Sequence, residues 1–133
     1  MRELVFDTSS LLILYLGEKG AETVATLLKD ISEGKAKGYV NVINLAELFY
    51  ILSRRSERVA AEKENNLRAY GVKVYEIDDG ELWRQAAKLK ALGSISLADA
   101  FAAATAQTID GELVIGLDHG FDHIEDLKLM IIS

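Results

Sequence analysis

The sequence predicts an α/β fold: a three-layer α/β/α sandwich around a central parallel sheet of four to five strands. Three observations lead there. Short runs of near-continuous apolar character, rich in Val and Ile, recur along the chain. Longer stretches with apolar residues three and four apart lie between them. Proline is absent, and the ten glycines fall mainly where the periodicity changes. Strands apolar on both faces pair in parallel, because each crossover between them supplies a covering helix.

The strands are expected at 3–7 (ELVFD), 38–43 (GYVNVI), 72–77 (VKVYEI) and 113–116 (LVIG, after Asp110 and Gly111), with a fifth run at 128–132 (KLMII). Helical patterns cover 9–16, 20–33, 44–56, 57–70, 79–91 and 96–108; in the third, Leu45, Leu48, Phe49 and Leu52 share one face. No repeat, low-complexity segment or linker divides the chain, so residues 1–133 read as one domain. A chain of this length buries about two-thirds of its unfolded surface.

Half of the residues are hydrophobic and none is cysteine. No apolar stretch is long enough for a membrane span or shaped like a secretory signal. These features predict a cytoplasmic protein without disulfides or a membrane partner. The net charge of −6 argues against broad electrostatic attraction to nucleic acid, so a nucleic-acid substrate would have to be drawn in locally.

Asp7 poses the first chemical question, because it follows directly on an apolar run and burying a charge is costly unless something satisfies it. Three more acids hold comparable places. Glu47 lies one turn into the helix after the second strand, Asp99 one turn into the helix at 96–108, and Asp118 after the fourth strand. Crossover helices run antiparallel to their strands and therefore begin at the strands' carboxyl edge, where open α/β sheets bind ligands. All four acids belong to that edge.

Each acid also has a plain structural reading. Asp7, Thr8, Ser9 or Ser10 suits a helix N-cap, Asn44-x-x-Glu47 and Ser96-x-x-Asp99 resemble capping boxes, and Asp118 suits the cap of a short turn at 119–125. Four carboxylates at one edge would nevertheless repel one another unless protonated or neutralised. Hard oxygen ligands without a zinc-like His/Cys set favour Mg²⁺ or Mn²⁺. Such ions activate water and stabilise the leaving oxygen of an in-line displacement, the chemistry of phosphodiester hydrolysis.

Four segments together, "VFDTSSLL", "NVINLAELFYIL", "SLADAFAAATA" and "LVIGLDHGFDHI", resemble the PIN domain, most closely its short single-domain VapC toxins. The resemblance spans nearly the whole chain. It implies a metal-dependent ribonuclease whose Mg²⁺ or Mn²⁺ is held by Asp7, Glu47, Asp99 and Asp118, with RNA as substrate, a cognate antitoxin that blocks the site, and a homodimer. Ser9 matches the hydroxyl residue often found two places after the first acid, where it would orient ligands or water. The chain departs from the family at Gly116, where Thr is common two places before the last acid, and at Asn41, where Ser is frequent six places before the helix acid.

Other features carry less chemistry. His119 and His123 are spaced for zinc together with Asp118 or Asp122, but Gly120 weakens the helix that this spacing requires. Asp122 is a candidate rim acid, as ligand or water-positioner. Arg54, Arg55, Arg58, Lys63 and Arg68, among Glu57, Glu62 and Glu64, read as a solvated helical face that has the potential to guide RNA or meet an antitoxin. Trp83 is expected in the core, as are most of Leu12, Tyr15, Leu16, Phe49 and Tyr50, a minority being left for a dimer or antitoxin surface. Two rival functions are a phospho-receiver module, with Asp78 or Asp79 as phosphoacceptor, and a catalytically silent PIN domain that only binds. The receiver reading lacks an acidic pair at the end of the first strand and the Lys, preceding the fifth strand, that receivers keep beside their pocket, and it leaves Glu47 and Asp99 without a purpose.

Overall fold

A computed structural model describes residues 1–78, 80–116 and 120–132. In chain order the elements are β1 (Arg2–Phe6), α1 (Thr8–Leu16), α2 (Ala21–Ser32), β2 (Ala36–Asn41), α3 (Val42–Ser53), α4 (Glu57–Tyr70), β3 (Lys73–Tyr75), α5 (Leu82–Leu92), α6 (Leu97–Ile109), β4 (Glu112–Ile115), a single 3-10 turn (Phe121–His123) and β5 (Lys128–Ile131). The five strands form one sheet in the order β3-β2-β1-β4-β5, and every pairing is parallel. In the register, Leu4 stands opposite Gly38 on β2 and Glu112 on β4, which makes β1 the central strand.

Alternation along β1 divides the core into two. Leu4 and Phe6 face α1 to α4, joining Leu11, Val24, Leu28, Leu48, Leu67 and Val114. Val5 faces the other way with Leu113 and Ile115, against Ala86, Leu89, Phe101 and Phe121 from α5, α6 and the 3-10 turn. Both faces of the sheet are thus covered, as its apolar strands require.

Helix α6 lies directly beneath β1, and Ala98, Ala100, Ala102, Ala103, Ala104 and Ala106 are all buried in it. A helix apolar on every side belongs in the interior, and its small side chains let it sit close to the sheet. At the far end of α1, Gly17 at φ 67° closes the helix in the left-handed conformation, its N–H bonding Leu14 O and that of Glu18 bonding Ile13 O.

The elements depart from the sequence reading in places that have local causes. Helix α3 starts at Val42 rather than 44, because Asn41 turns the end of β2 straight into a helix by accepting the Ile43 N–H at 2.9 Å. Asn44 is therefore inside the helix and caps nothing. Helix α5 starts at Leu82 rather than 79, since the Asp78 carboxylate accepts the Gly80 N–H at 2.7 Å and holds a turn there. Trp83 is 40% exposed, a correction to its expected place in the core. The buried line of α5 is Leu82, Ala86 and Leu89, and the next residue along a helix points about 100° away. Tyr50 and Leu16 are also exposed, whereas Leu12, Tyr15 and Phe49 pack partly against the core. In the charged segment, Arg68 pairs with Glu64, Arg58 with Glu62, and Arg54 lies 5.0 Å from the Tyr50 ring, a solvated face as expected.

Ala103→Leu should lower stability by about 1–3 kcal/mol, because α6 has no room against the sheet for three more carbons. Urea denaturation followed by circular dichroism would show the midpoint falling with little change in slope.

Candidate active site

The strand order reverses between β1 and β4, and in open α/β sheets that crevice at the carboxyl ends is where ligands bind. Asp7 follows β1 at this place, its N–H donating to Val114 O of β4 at 3.2 Å. Only 1% of its surface is exposed. Its extended backbone (φ −82°, ψ 176°) makes it the N-cap of α1, Oδ1 accepting the Ser10 N–H at 2.8 Å. The Ser9 hydroxyl lies 2.9 and 2.8 Å from the two carboxylate oxygens and shares its proton between them. Ser9 Oγ in turn accepts the Gly116 N–H at 3.0 Å, and Ser10 Oγ donates to the Asp7 carbonyl. A hydroxyl network thus orients the carboxylate and ties it to the end of β4.

Gly116 explains itself in this network. A Cβ there would meet Ile13 Cδ1 at 2.6 Å and Ser9 Oγ at 3.2 Å, so a threonine would crowd the serine that reaches Asp7. Asn41, the other departure from the family pattern, is fully buried and donates from Nδ2 to Thr105 Oγ1 at 2.9 Å. It links the start of α3 to α6.

Three helix beginnings are then joined by one residue that sequence reading had treated only as a cap. Asn44 Nδ2 donates to Thr8 Oγ1 at 3.3 Å and to Ala98 O at 3.2 Å, while Thr8 Oγ1 donates back to Asn44 O. Buried and polar, Asn44 locks α3 to α1 and α6, and its Oδ1 accepts no hydrogen bond from any described residue. Its spacing was visible in the sequence, but the partners are 36 and 54 residues away. Asp99 stands in the first turn of α6, whose N-cap Ser96 accepts the Asp99 N–H at 3.1 Å. Glu47 stands one turn deeper in α3, half-buried.

Burial pushes the Asp7 carboxyl up to about 6; the Ser10 N–H and the Ser9 hydroxyl oppose the rise, and the Asp99 carboxylate adds to it. Asp7 and Asp99 therefore feel each other, and no lysine or arginine is among the groups that act on Asp7. A buried carboxylate beside a second one, with hard oxygen donors only, fits a divalent cation of the Mg²⁺ or Mn²⁺ kind. Among the described residues no three carboxylate or imidazole groups gather tightly enough to hold a metal, so Glu47 shares the edge with the Asp7–Asp99 pair without closing a cage around it. Asp118 and His119 lie outside the described residues, and so does the zinc arrangement that would need them. Asp122 is exposed in the 3-10 turn, its Oδ1 4.0 Å from His123 Nδ1.

The topology also bears on the receiver reading. Receiver-type sheets run in the order 2-1-3-4-5, with their switch point between the first and third strands. Here β3 is an edge strand, and Asp78 beyond it is exposed and engaged in its own turn; Asp79 lies outside the described residues.

An acid-bearing edge at the β1–β4 switch point of a five-stranded parallel sheet defines a PIN-type α/β domain. The chain belongs to the PIN domain family, whose model matches residues 4–127. Its fold is similar to VapBC2 from Rickettsia felis bound to a promoter DNA fragment (16% identity, TM-score 0.77, covering 98% of this chain and 99% of that one). It is also similar to DNA-bound VapBC from Salmonella typhimurium (16%, 0.74, 100% of both chains) and to a toxin–antitoxin complex from Klebsiella pneumoniae (18%, 0.69, 98% of both). No curated protein matches the sequence. No helix among the described residues is long and apolar enough to cross a membrane.

The raised Asp7 carboxyl makes metal-free stability depend on pH in a definite direction. Between the ordinary value of 3.8 and about 6 the folded state keeps a proton that the unfolded state has lost, so stability falls as pH rises through that window. Below it the penalty is absent; above it the penalty is complete, at about 3 kcal/mol. Urea midpoints measured in chelator should drop between pH 4 and pH 6.5, and Asp7→Asn should flatten the drop. Parallel curves for the two proteins would remove Asp7 as its source.

Proposed function

We propose that the protein is a metal-dependent endoribonuclease that hydrolyses RNA phosphodiester bonds, the toxin of a VapBC-type pair. The observation that carries this reading is the buried Asp7 carboxylate at the β1–β4 switch point, oriented by Ser9 and Ser10 and electrostatically coupled to Asp99. Family membership and the toxin–antitoxin assemblies of similar fold support it.

Asp7, Glu47, Asp99 and Asp118 are the residues that would hold Mg²⁺ or Mn²⁺. Such a cation, when bound, supplies an acidified water and stabilises the leaving oxygen. The chain's own part is positional. Ser9 restrains both Asp7 oxygens and ties their orientation to the end of β4 through Gly116. Asn44 and Asn41 fix the starts of α3 and α6, and with them the spacing of Glu47 and Asp99 from Asp7. One of these four acids, or a neighbouring acid such as Asp122, would accept the proton of the attacking water.

The partner side of the proposal is a cognate antitoxin and a homodimer. An apolar groove lined by Val42, Leu45, Ala46, Phe49 and Tyr50 on α3, with Glu64 at its rim, favours an antitoxin segment bearing apolar side chains.

Incubation of single-stranded and structured RNAs with Mn²⁺, Mg²⁺ or chelator tests the reaction. Wild type should cut only with metal. Asp99→Asn should lose at least about 100-fold in rate, as removal of one electrostatic group in an active site commonly does. A folded, metal-binding protein that cuts no RNA under any condition would make this a silent PIN domain. Ser9→Ala should retain part of the activity, because it loosens Asp7 without removing a carboxylate, with a loss of roughly 10- to 100-fold.

A further inference from the structure

We infer that the outer face of α5 is the path along which single-stranded RNA reaches the site, with Trp83 as a base-stacking platform; this rests on the ribonuclease reading above. The charge distribution is the first ground. From Leu82 to Ile109 the chain has three cations, Arg84, Lys88 and Lys90, and one carboxylate, Asp99 of the site itself. The remainder has twelve cations against twenty carboxylates, so this stretch is a locally positive segment of an acidic protein. Phosphates are drawn to such a segment even on a protein of net negative charge.

Geometry is the second ground. Leu82, Ala86 and Leu89 bury one side of α5, which leaves Trp83, Arg84, Ala87, Lys88, Lys90 and Ala91 exposed on the other. At helical spacing, Trp83 and Lys90 form one flank of this face and Arg84 and Lys88 the other, with the small Ala87 and Ala91 between them. Arg84 stacks over the Trp83 ring, its guanidinium carbon 4.7 Å from the centroid, while bonding Glu81 at 3.2 Å. Lys88 and Lys90 take part in no ion pair among the described residues. An exposed indole beside a guanidinium plane, on a cationic track, is the arrangement on which unpaired bases stack irrespective of sequence.

Direction is the third. The Gln85 side chain in the first turns of α5 bonds Gln107 near the end of α6 at 3.0 Å, so the two helices run antiparallel. The lysine end of α5 therefore points to the edge where α6 begins. Residues 93–96 connect it directly to the cap of the helix that bears Asp99. The track is on the order of 16 Å long, enough for a few nucleotides between the stacked base and the acids.

Trp83 is the only tryptophan, so its fluorescence reports on this face alone. The experiment titrates the protein into a fluorescein-labelled 12-nucleotide oligouridylate in chelator, at several salt concentrations, reading affinity in every variant from the anisotropy of the label and contact with Trp83 from its quenching in the proteins that keep it, with cleavage assayed in parallel in Mn²⁺. Saturable quenching is expected, with binding about tenfold weaker in Trp83→Ala. Lys88→Gln/Lys90→Gln should make the salt dependence shallower by about 1.4 in log–log slope. If wild type cuts RNA but binds without quenching, or if the variants bind with unchanged affinity and slope, the path lies elsewhere and the nuclease stands. If wild type neither cuts nor binds, the nuclease reading and the path fall together. Conversion of a dimer to monomer by Trp83→Ala, with RNA affinity intact, would assign the face to a second copy of the chain and overturn the proposal.

Discussion

Asp7 sits where β1 gives way to α1 with its carboxylate removed from water, and it can be held there only if other donors replace the lost hydration. Ser9 and Ser10 do this, at 2.8 to 2.9 Å. Both donors lie within three residues, so a strand end, a helix cap and an oriented carboxylate are one local structure encoded by DTSS. Residual burial cost still shows in the raised Asp7 carboxyl, because the serine donors only partly replace the water it has lost.

Everything around Asp7 serves to bring distant chain segments to the same edge. Parallel strands require helical crossovers, crossovers start at the carboxyl edge, and the reversal of strand order between β1 and β4 opens the crevice there. The alanine-filled α6 makes a close approach beneath β1 possible, and this puts Asp99 within electrostatic reach of Asp7. Asn41 and Asn44 then fix α3 against α6 and α1 with buried side-chain hydrogen bonds, which specify position because an unpaired amide in the interior is costly.

Much of this was legible in the sequence. The Val- and Ile-rich runs separated by 3.6-period stretches gave the five strands, six helices and three layers, because the pattern of burial on each face is written residue by residue. Asp7, Ser9 and Asp99 were legible for the same reason: strand ends and helix caps are local signals. What could not be read depended on contacts over long separations or on local turn chemistry. The roles of Asn41 and Asn44 rest on Thr105 and Ala98, and a hydroxyl or carbonyl partner that far away leaves no trace in periodicity. Trp83 was misplaced because hydrophobicity alone suggested burial, whereas the one-residue offset from Leu82 turns it outward.

The central claim is that the carboxylates of this edge converge on a divalent cation. Calorimetric titration of Mn²⁺ into the metal-free protein at pH 7 tests it most directly, with Asp7→Asn, Asp99→Asn and Asp118→Asn as comparisons and melting curves to confirm that each is folded. The account predicts binding by the wild type and a loss of at least about tenfold in affinity in each variant, on the scale of removing one ligand or its oriented support. Equal affinity in wild type and all three variants would contradict it.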